Sequence, residues 1–233
     1  MAASRERARA LILAGLVRVN GNVVAKAGTP VAPDDNITLI EPDHPYVSRG
    51  GVKLAHALDV FGIEVTGRLA LDVGASTGGF TDVLLRRGAP RVVALDVGHS
   101  QLDWKLRSDP RVIVLERINA RALTADQLPA DARAFDVVTM DVSFISVKQV
   151  LPALVPLLLP DADLVVLIKP QFEAGREEVG KGGLVHDAAV HARVIDEAAA
   201  AANALGLTRV AMTESPITGT ERNREFFLHL RHG

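Results

Sequence analysis

The sequence predicts an α/β protein: a Rossmann-like parallel sheet covered by helices on both faces, with a small separate module ahead of it. Three observations predict this. From Leu69 onward, short apolar runs alternate with helix-like segments, and continuous apolar strands between helices imply a parallel sheet buried on both faces. The run Leu69-Ala-Leu-Asp-Val ends in an acid and opens into a glycine-rich turn, Gly74-Ala-Ser-Thr-Gly-Gly. A second apolar strand, Val92 to Leu95, also ends in an acid, Asp96, 24 positions after Asp72. A glycine turn followed by a spaced acid suits a small ligand that contains adenosine.

The elements follow in order. A helix is expected from a Ser4 cap to about Ala14, stopped by Gly15. Val17 to Val24 reads as a hairpin around Asn20-Gly21, and Ile37 to Ile40 adds a strand. Residues 41–51, rich in Pro, Asp and Gly and ending in Ser48-Arg-Gly-Gly, read as a linker. The expected boundary divides the chain into 1–46 and 47–233. Beyond it come strands at 69–73, 91–96, 112–116, 135–140, 163–168, 207–213 and 225–230. Helices are expected at 80–87, 101–106, 145–158 and 187–205.

Composition narrows the function. Of 233 residues, 48% are apolar and 23% charged, a globular balance with room for one α/β domain and a small appendage. The net charge of −2 sets up no global positive field, so any nucleic-acid footprint must be local. The absence of cysteine excludes disulfides, thiolate metal sites and a cysteine nucleophile. The seven histidines are scattered, and no metal centre is expected. Charges at the amino terminus do not suit a signal peptide, and apolar stretches such as 150–160 are short and broken by proline. A cytoplasmic protein is the expectation, without a membrane partner.

The local footprint is in the first 28 residues, where Arg5, Arg7, Arg9, Arg18 and Lys26 face a single acid, Glu6. Arg5 and Arg9 share a helix face. Such a stripe can meet RNA phosphates, or it is simply a solvated helix face. The string from Ser4 to Val24 resembles the helix–turn–strand heart of the S4 family of RNA-binding domains. That resemblance implies RNA contact by Arg5, Arg9, Arg18 and Lys26, and by Arg49 nearby. An S4 domain usually carries one more helix ahead of this point, so the chain is expected to begin mid-domain.

Asp72-Val-Gly-Ala-Ser-Thr-Gly-Gly-Phe resembles the first motif of S-adenosylmethionine-dependent methyltransferases. By this resemblance Asp72, Gly74, Ser76, Thr77, Gly78, Gly79 and Phe80 form the cofactor cradle, and Asp96 with Val97 holds the ribose and adenine side. Ser76 breaks the dinucleotide fingerprint, and no Gly-Lys-Ser/Thr of a P-loop follows. Asn119, after the third strand, either touches the adenine edge or makes a turn.

Four ionisable residues flank predicted elements around that pocket: Lys53, Asp141, Lys169 and Glu225. Ligands of open α/β sheets bind at the carboxyl ends of strands, where Asp141 and Lys169 fall. A lysine after so apolar a strand is costly unless paired. The Lys–Asp–Lys–Glu order resembles ribose 2′-O-methyltransferases of the FtsJ/RrmJ type. With the S4-like module, Val-Ser-Arg-Gly-Gly-Val-Lys-Leu and Ile-Lys-Pro-Gln-Phe-Glu, the chain is similar to the TlyA family, often labelled haemolysins. The resemblance implies methylation of a cytidine ribose in 16S or 23S rRNA, with S-adenosylmethionine as donor and rRNA or ribosomal subunits as partners. It implies Lys169 as base, Asp141 orienting it beside the cofactor, and Lys53 and Glu225 setting charge and ribose position. The family usually has Gly–Asn before its glutamate; here Arg222 precedes Asn223 and Glu221 competes, Glu225 being favoured by its spacing. Asp141-Val-Ser-Phe lacks the Pro-Pro-Tyr-like clamp of base-amine methyltransferases, and without cysteine, carbon-5 methylation of cytosine is excluded. Two other functions compete: a membrane-active cytolysin, and a non-catalytic RNA-binding factor.

Overall fold

The computed structural model describes residues 5–13, 15–24, 26–39, 44–219 and 222–233. The chain divides into two compact units, Met1–Pro45 and Tyr46–Gly233.

The first unit holds helix α1 (Arg5–Leu13) and strands β1 (Val17–Val19), β2 (Asn22–Val23) and β3 (Ile37–Leu39), in the order β2-β1-β3. Both pairings are antiparallel. The Asn-Gly turn forms as the sequence suggests, with Asn20 and Gly21 both at positive φ (51° and 83°), the combination a tight hairpin requires. Asn20 also braces β3: its side chain donates to Asp35 Oδ1 (2.7 Å) and accepts from Asn36 N (2.9 Å). Ser4, Ala14 and Ile40, the expected ends of the helix and the third strand, lie outside the described residues.

The second unit runs α2 (Arg49–Phe61), β4 (Ala70–Val73), α3 (Gly79–Arg86), β5 (Val92–Asp96), α4 (Trp104–Arg107), β6 (Val112–Glu116) and β7 (Phe135–Met140). It continues with α5 (Val147–Leu154), β8 (Leu158–Ile168), α6 (Pro170–Glu173), α7 (Ala188–Asn203), β9 (Leu207–Glu214) and β10 (Phe226–His232). The seven strands order as β6-β5-β4-β7-β8-β10-β9. Alternate residues of one strand feed opposite faces, as the pleat demands. Val138 and Leu164 pack with α5 and α7, while Val137 and Val165 pack with α2 and α3.

Three expectations need correction. The sheet is not wholly parallel: β10 runs antiparallel to both β8 and β9. Among the described residues no helix lies between β9 and β10 to carry a crossover, so the chain turns back and slots in between its predecessors. Second, Ser48-Arg-Gly-Gly is not linker but the start of α2, with Ser48 at its N-cap and Gly62 (φ 64°) closing it. Gly51 answers packing rather than flexibility, since a Cβ on it would overlap the Tyr46 side chain. Third, the helix expected over 145–158 ends at Leu154. A 3-10 turn with Pro156 follows, and β8 begins at Leu158, five residues before the predicted strand.

At the sheet end away from Lys169, Asp163 gathers two arginines and a histidine. Arg68 Nη1 lies 2.7 Å, His229 Nε2 2.7 Å and Arg231 Nη2 3.0 Å from its carboxylate. Burial alone would raise the pKa of this group, but hydrogen bonds from His229, Arg68 and Arg231 prevail and hold it well below the usual carboxylate range. A depressed folded-state value means the stabilisation is present above the ordinary carboxylate pKa and fades as pH falls through the folded one. Asp163→Asn should therefore lower unfolding free energy by about 3–5 kcal/mol at pH 7. In urea titrations the gap to wild type should close on acidification below about pH 4.

Candidate active site

The strand registers bring the candidate residues to one edge. Val73 pairs with Met140, Met140 with Val166, and Phe226 with Ile168. The residues that follow or precede these, Gly74, Asp141, Lys169 and Glu225, therefore emerge at the carboxyl ends of β4, β7 and β8. Glu225 is there because β10 is antiparallel; a parallel strand would have sent it to the far side.

Two lysine–carboxylate pairs result. Lys169 Nζ lies 2.5 Å from Asp141 Oδ1, off the line of a hydrogen bond, and donates to Ser143 Oγ at 2.9 Å. Lys53 Nζ, brought in by α2, donates to Glu225 Oε2 at 2.5 Å, with both side chains almost fully buried. So each lysine has its own carboxylate. Glu225 is the glutamate that meets Lys53; Glu221 lies outside the described residues. A Cβ on Gly219 would overlap Glu225 Oε1, so the preceding loop wraps the carboxylate closely. Arg49 donates to Thr218 O at 2.9 Å and ties the start of α2 to that loop. Asn223 is buried and spends its amide on Val185 N (2.9 Å) and Gly183 O (2.8 Å). Arg222 takes φ 65°, a left-handed conformation that a glycine would adopt without cost.

The glycine turn splits into residues that face a cleft and residues that do not. Ala75, Ser76, Asp96, Gln101, Leu102 and Glu116 line a cleft at the ends of β4, β5 and β6. Asp96 accepts from Ser76 N (2.8 Å) and Gly98 N (2.7 Å), and Val97 beside it is 71% exposed. Thr77 is exposed as well. Gly74, Gly78 and Gly79 instead meet protein. Added Cβ atoms would overlap Asp141 O at Gly74, Leu106 at Gly78 and Ser48 Oγ at Gly79. Phe80 is buried with its ring 6.1 Å from that of Phe227. Asn119 is exposed and caps a 3-10 turn by accepting from Arg121 N (3.0 Å).

Asp72 departs furthest from its expected place in the cradle. It is 0% exposed, beneath the turn, with Thr81 Oγ1 donating to Oδ2 at 2.6 Å and Thr139 Oγ1 to Oδ1 at 3.1 Å. It joins α3 and β7 rather than facing the cleft. Sequence reasoning also passed over Gln101 and Glu116. Glu116 ends its strand as Asp96 does, a signal that was available; it accepts from Ser100 N (2.7 Å) and pairs with Arg107. No group of metal-ligating side chains occurs among the described residues.

The FtsJ-like methyltransferase family model matches residues 46–232, and the S4 domain model matches residues 1–37. The chain belongs to the TlyA family of FtsJ-like methyltransferases. A Mycobacterium tuberculosis relative, named 16S/23S rRNA (cytidine-2'-O)-methyltransferase TlyA, is 50% identical over 99% of this chain and 85% of its own. A hemolysin-labelled structure from Streptococcus thermophilus superposes with a TM-score of 0.81 at 41% identity, covering 98% of this chain and 83% of that one. An S-adenosylmethionine-dependent methyltransferase from Mesorhizobium loti shares the fold, with a TM-score of 0.53 at 15% identity over 76% and 96% of the two chains. Among the described residues of this TlyA-family chain, no helix is long and apolar enough to cross a membrane.

Burial pushes the Asp72 carboxyl up to about 7 against the bonds from Thr81 and Thr139, and the charge of Asp141 pushes the same way. A carboxyl whose folded pKa is raised loses stability as pH climbs from the unfolded value through the folded one. Asp72→Asn should therefore be more stable than wild type at pH 8, by on the order of 3 kcal/mol, with the advantage vanishing near pH 4. Chemical denaturation across that range measures it.

Proposed function

We propose that this chain transfers a methyl group from S-adenosylmethionine to the 2′-hydroxyl of cytidine in 16S or 23S rRNA, or in both. The observation that carries the proposal is the Lys169–Asp141 contact at the strand ends, with Lys53–Glu225 beside it. The name of the 50%-identical mycobacterial relative supplies the acceptor nucleotide and the RNA.

The residues of the cleft suit the donor. Asp96 and Glu116 offer carboxylate oxygens to ribose hydroxyls, while Ala75, Ala94 and Leu102 give an apolar wall. Ser76, Thr77 and Val97 are accessible beside them, and Gly74, Gly78 and Gly79 serve by keeping the turn close to its protein neighbours. Bound there, S-adenosylmethionine would supply an electrophilic methyl group and a sulfonium charge.

A ribose hydroxyl is too weak an acid to attack unaided at neutral pH. As a neutral amine, Lys169 has two N–H bonds and one lone pair. Ser143 takes one N–H bond and the Asp141 carboxylate lies against the amine, leaving the lone pair to receive the hydroxyl proton at Nζ. Lys53 and Glu225, buried and paired, hold fixed charge beside the acceptor ribose. Positioning supplies much of the remaining acceleration.

The chain is further proposed to work in the cytoplasm on rRNA or ribosomal subunits, with a division of labour near residue 46. Arg5, Arg9, Arg18 and Lys26 are exposed in the first unit and Arg49 in the second, and these contribute phosphate contacts. The lytic and the purely RNA-binding alternatives give the buried lysine pairs no task.

Lys169→Ala should reduce methyl transfer to rRNA by about 10³-fold. Cofactor affinity by calorimetry and RNA affinity by filter binding should both stay near wild type. Methylation unchanged in this variant would sink the proposal. Replacing Arg5, Arg9 and Arg18 together by alanine should weaken RNA binding at moderate salt and flatten its dependence on salt concentration by about three contacts' worth. An unchanged salt slope would remove the first unit from the RNA interface.

A further inference from the structure

Two motifs on neighbouring strands interlock, and one member of the lock has no role so far. The loop after β7 (residues 141–146) and the segment after β8 (Lys169 through α6) leave adjacent parallel strands at the same edge. They meet at successive points. Asp141 and Ser143 hold Lys169 Nζ, at 2.5 and 2.9 Å. The Phe144 and Phe172 rings lie 5.1 Å apart between centroids. Farther along, Ser146 Oγ donates to Glu173 Oε2 at 2.6 Å, and Val147 N donates to Glu173 Oε1 at 2.7 Å. Lys169 and Glu173 are four residues apart, one turn of helix, so the two ends of Lys169-Pro-Gln-Phe-Glu173 grip the two ends of one loop.

Glu173 is only 9% exposed, and burying a carboxylate is costly unless its oxygens are bonded. A surface carboxylate would do if the sole need were a cap for α5, because Ser146 already caps it by accepting from Lys148 N at 3.2 Å. The buried acid adds a connection across the two strand ends that the cap alone does not make. The loop it restrains is under backbone strain: Phe144 sits at φ 65° although its side chain is 91% exposed, a conformation that a free loop with a bulky residue avoids.

We propose that Glu173 is a positioning residue for methyl transfer, clamping the Ser146 end of the loop so that Asp141 and Ser143 stay aligned with Lys169. It touches none of the reacting groups itself. Without the clamp, the loop gains conformations in which the Lys169 amine loses its Ser143 acceptor, its Asp141 contact or both. Misplacement of the amine lowers turnover while leaving the cleft at Asp96 as it was. The proposal depends on the methyl-transfer function put forward above.

The test uses the full chain with rRNA as acceptor and compares Glu173→Ala, Glu173→Gln and wild type. Glu173→Ala should lower kcat roughly tenfold at saturating donor and RNA, with KM for RNA and Kd for S-adenosylmethionine within about twofold of wild type. Glu173→Gln retains an oxygen that can accept from Val147 N and Ser146 Oγ, and should recover kcat to within about threefold. A kcat for Glu173→Ala equal to wild type, with only a lower Tm, would overturn the proposal, as would a loss of donor affinity equal to the loss of kcat. If Glu173→Ala does not fold, Ser146→Ala removes one of the two bonds and leaves the acid its backbone donor. Its kcat should fall a few-fold at unchanged donor affinity, and an unchanged kcat is the contradicting result. An inactive wild-type protein would instead overturn the methyl-transfer function itself, a failure distinct from that of the clamp.

Discussion

The ion pair between Asp141 and Lys169 exists because two parallel strands end side by side with a charged residue next in each chain. Leu164 to Ile168 is wholly buried, and a lysine that follows it directly cannot reach bulk water freely. It is held by partners instead, and those partners must come from the neighbouring strand end. This requirement fixes much else. The β7–α5 loop has to bend back over Lys169, which the left-handed Phe144 and the buried Glu173 contact accommodate. Independently of that pair, β10 enters antiparallel between β8 and β9 and brings Glu225 to the same edge rather than the opposite one. Helix α2 then supplies Lys53 to neutralise it.

The glycine turn works by a related constraint. Three of its glycines lie where other parts of the protein come too near for a Cβ: the Asp141 backbone, Leu106 and the Ser48 hydroxyl. The turn thereby ties the ends of β4 and β7 together and packs α3 onto the start of α2. Below it, Asp72 bonds two threonines from different elements at the expense of a buried carboxyl. Motif residues that read as ligand contacts therefore divide into a few that face the cleft and several that shape it.

Strand positions and the acids or lysines at their ends were legible, because a buried strand is a continuous apolar run and the next polar residue marks its exit. Asp96, Asp141 and Lys169 were found in this way. Strand direction was not legible, since an apolar run reads alike in either sense; only the missing crossover helix before β10 carries that information. Helix α2 was hidden because Gly50-Gly51 has poor helix propensity, and Gly51 makes sense only once the Tyr46 side chain is seen where a Cβ would be. The depth of Asp72 could not be read from a motif that shows spacing but not which way a side chain turns. Glu173 went unassigned for the same reason, four residues beyond the lysine that drew attention.

The family relationship and the geometry converge on ribose methylation, and the chemical identity of the product is the sharpest discriminator. Incubating rRNA with the full chain and isotopically labelled S-adenosylmethionine, digesting to nucleosides and analysing them by mass spectrometry measures it directly. The account predicts label in 2′-O-methylcytidine. Label on a base, on the ribose of another nucleoside, or on no nucleoside at all would contradict it.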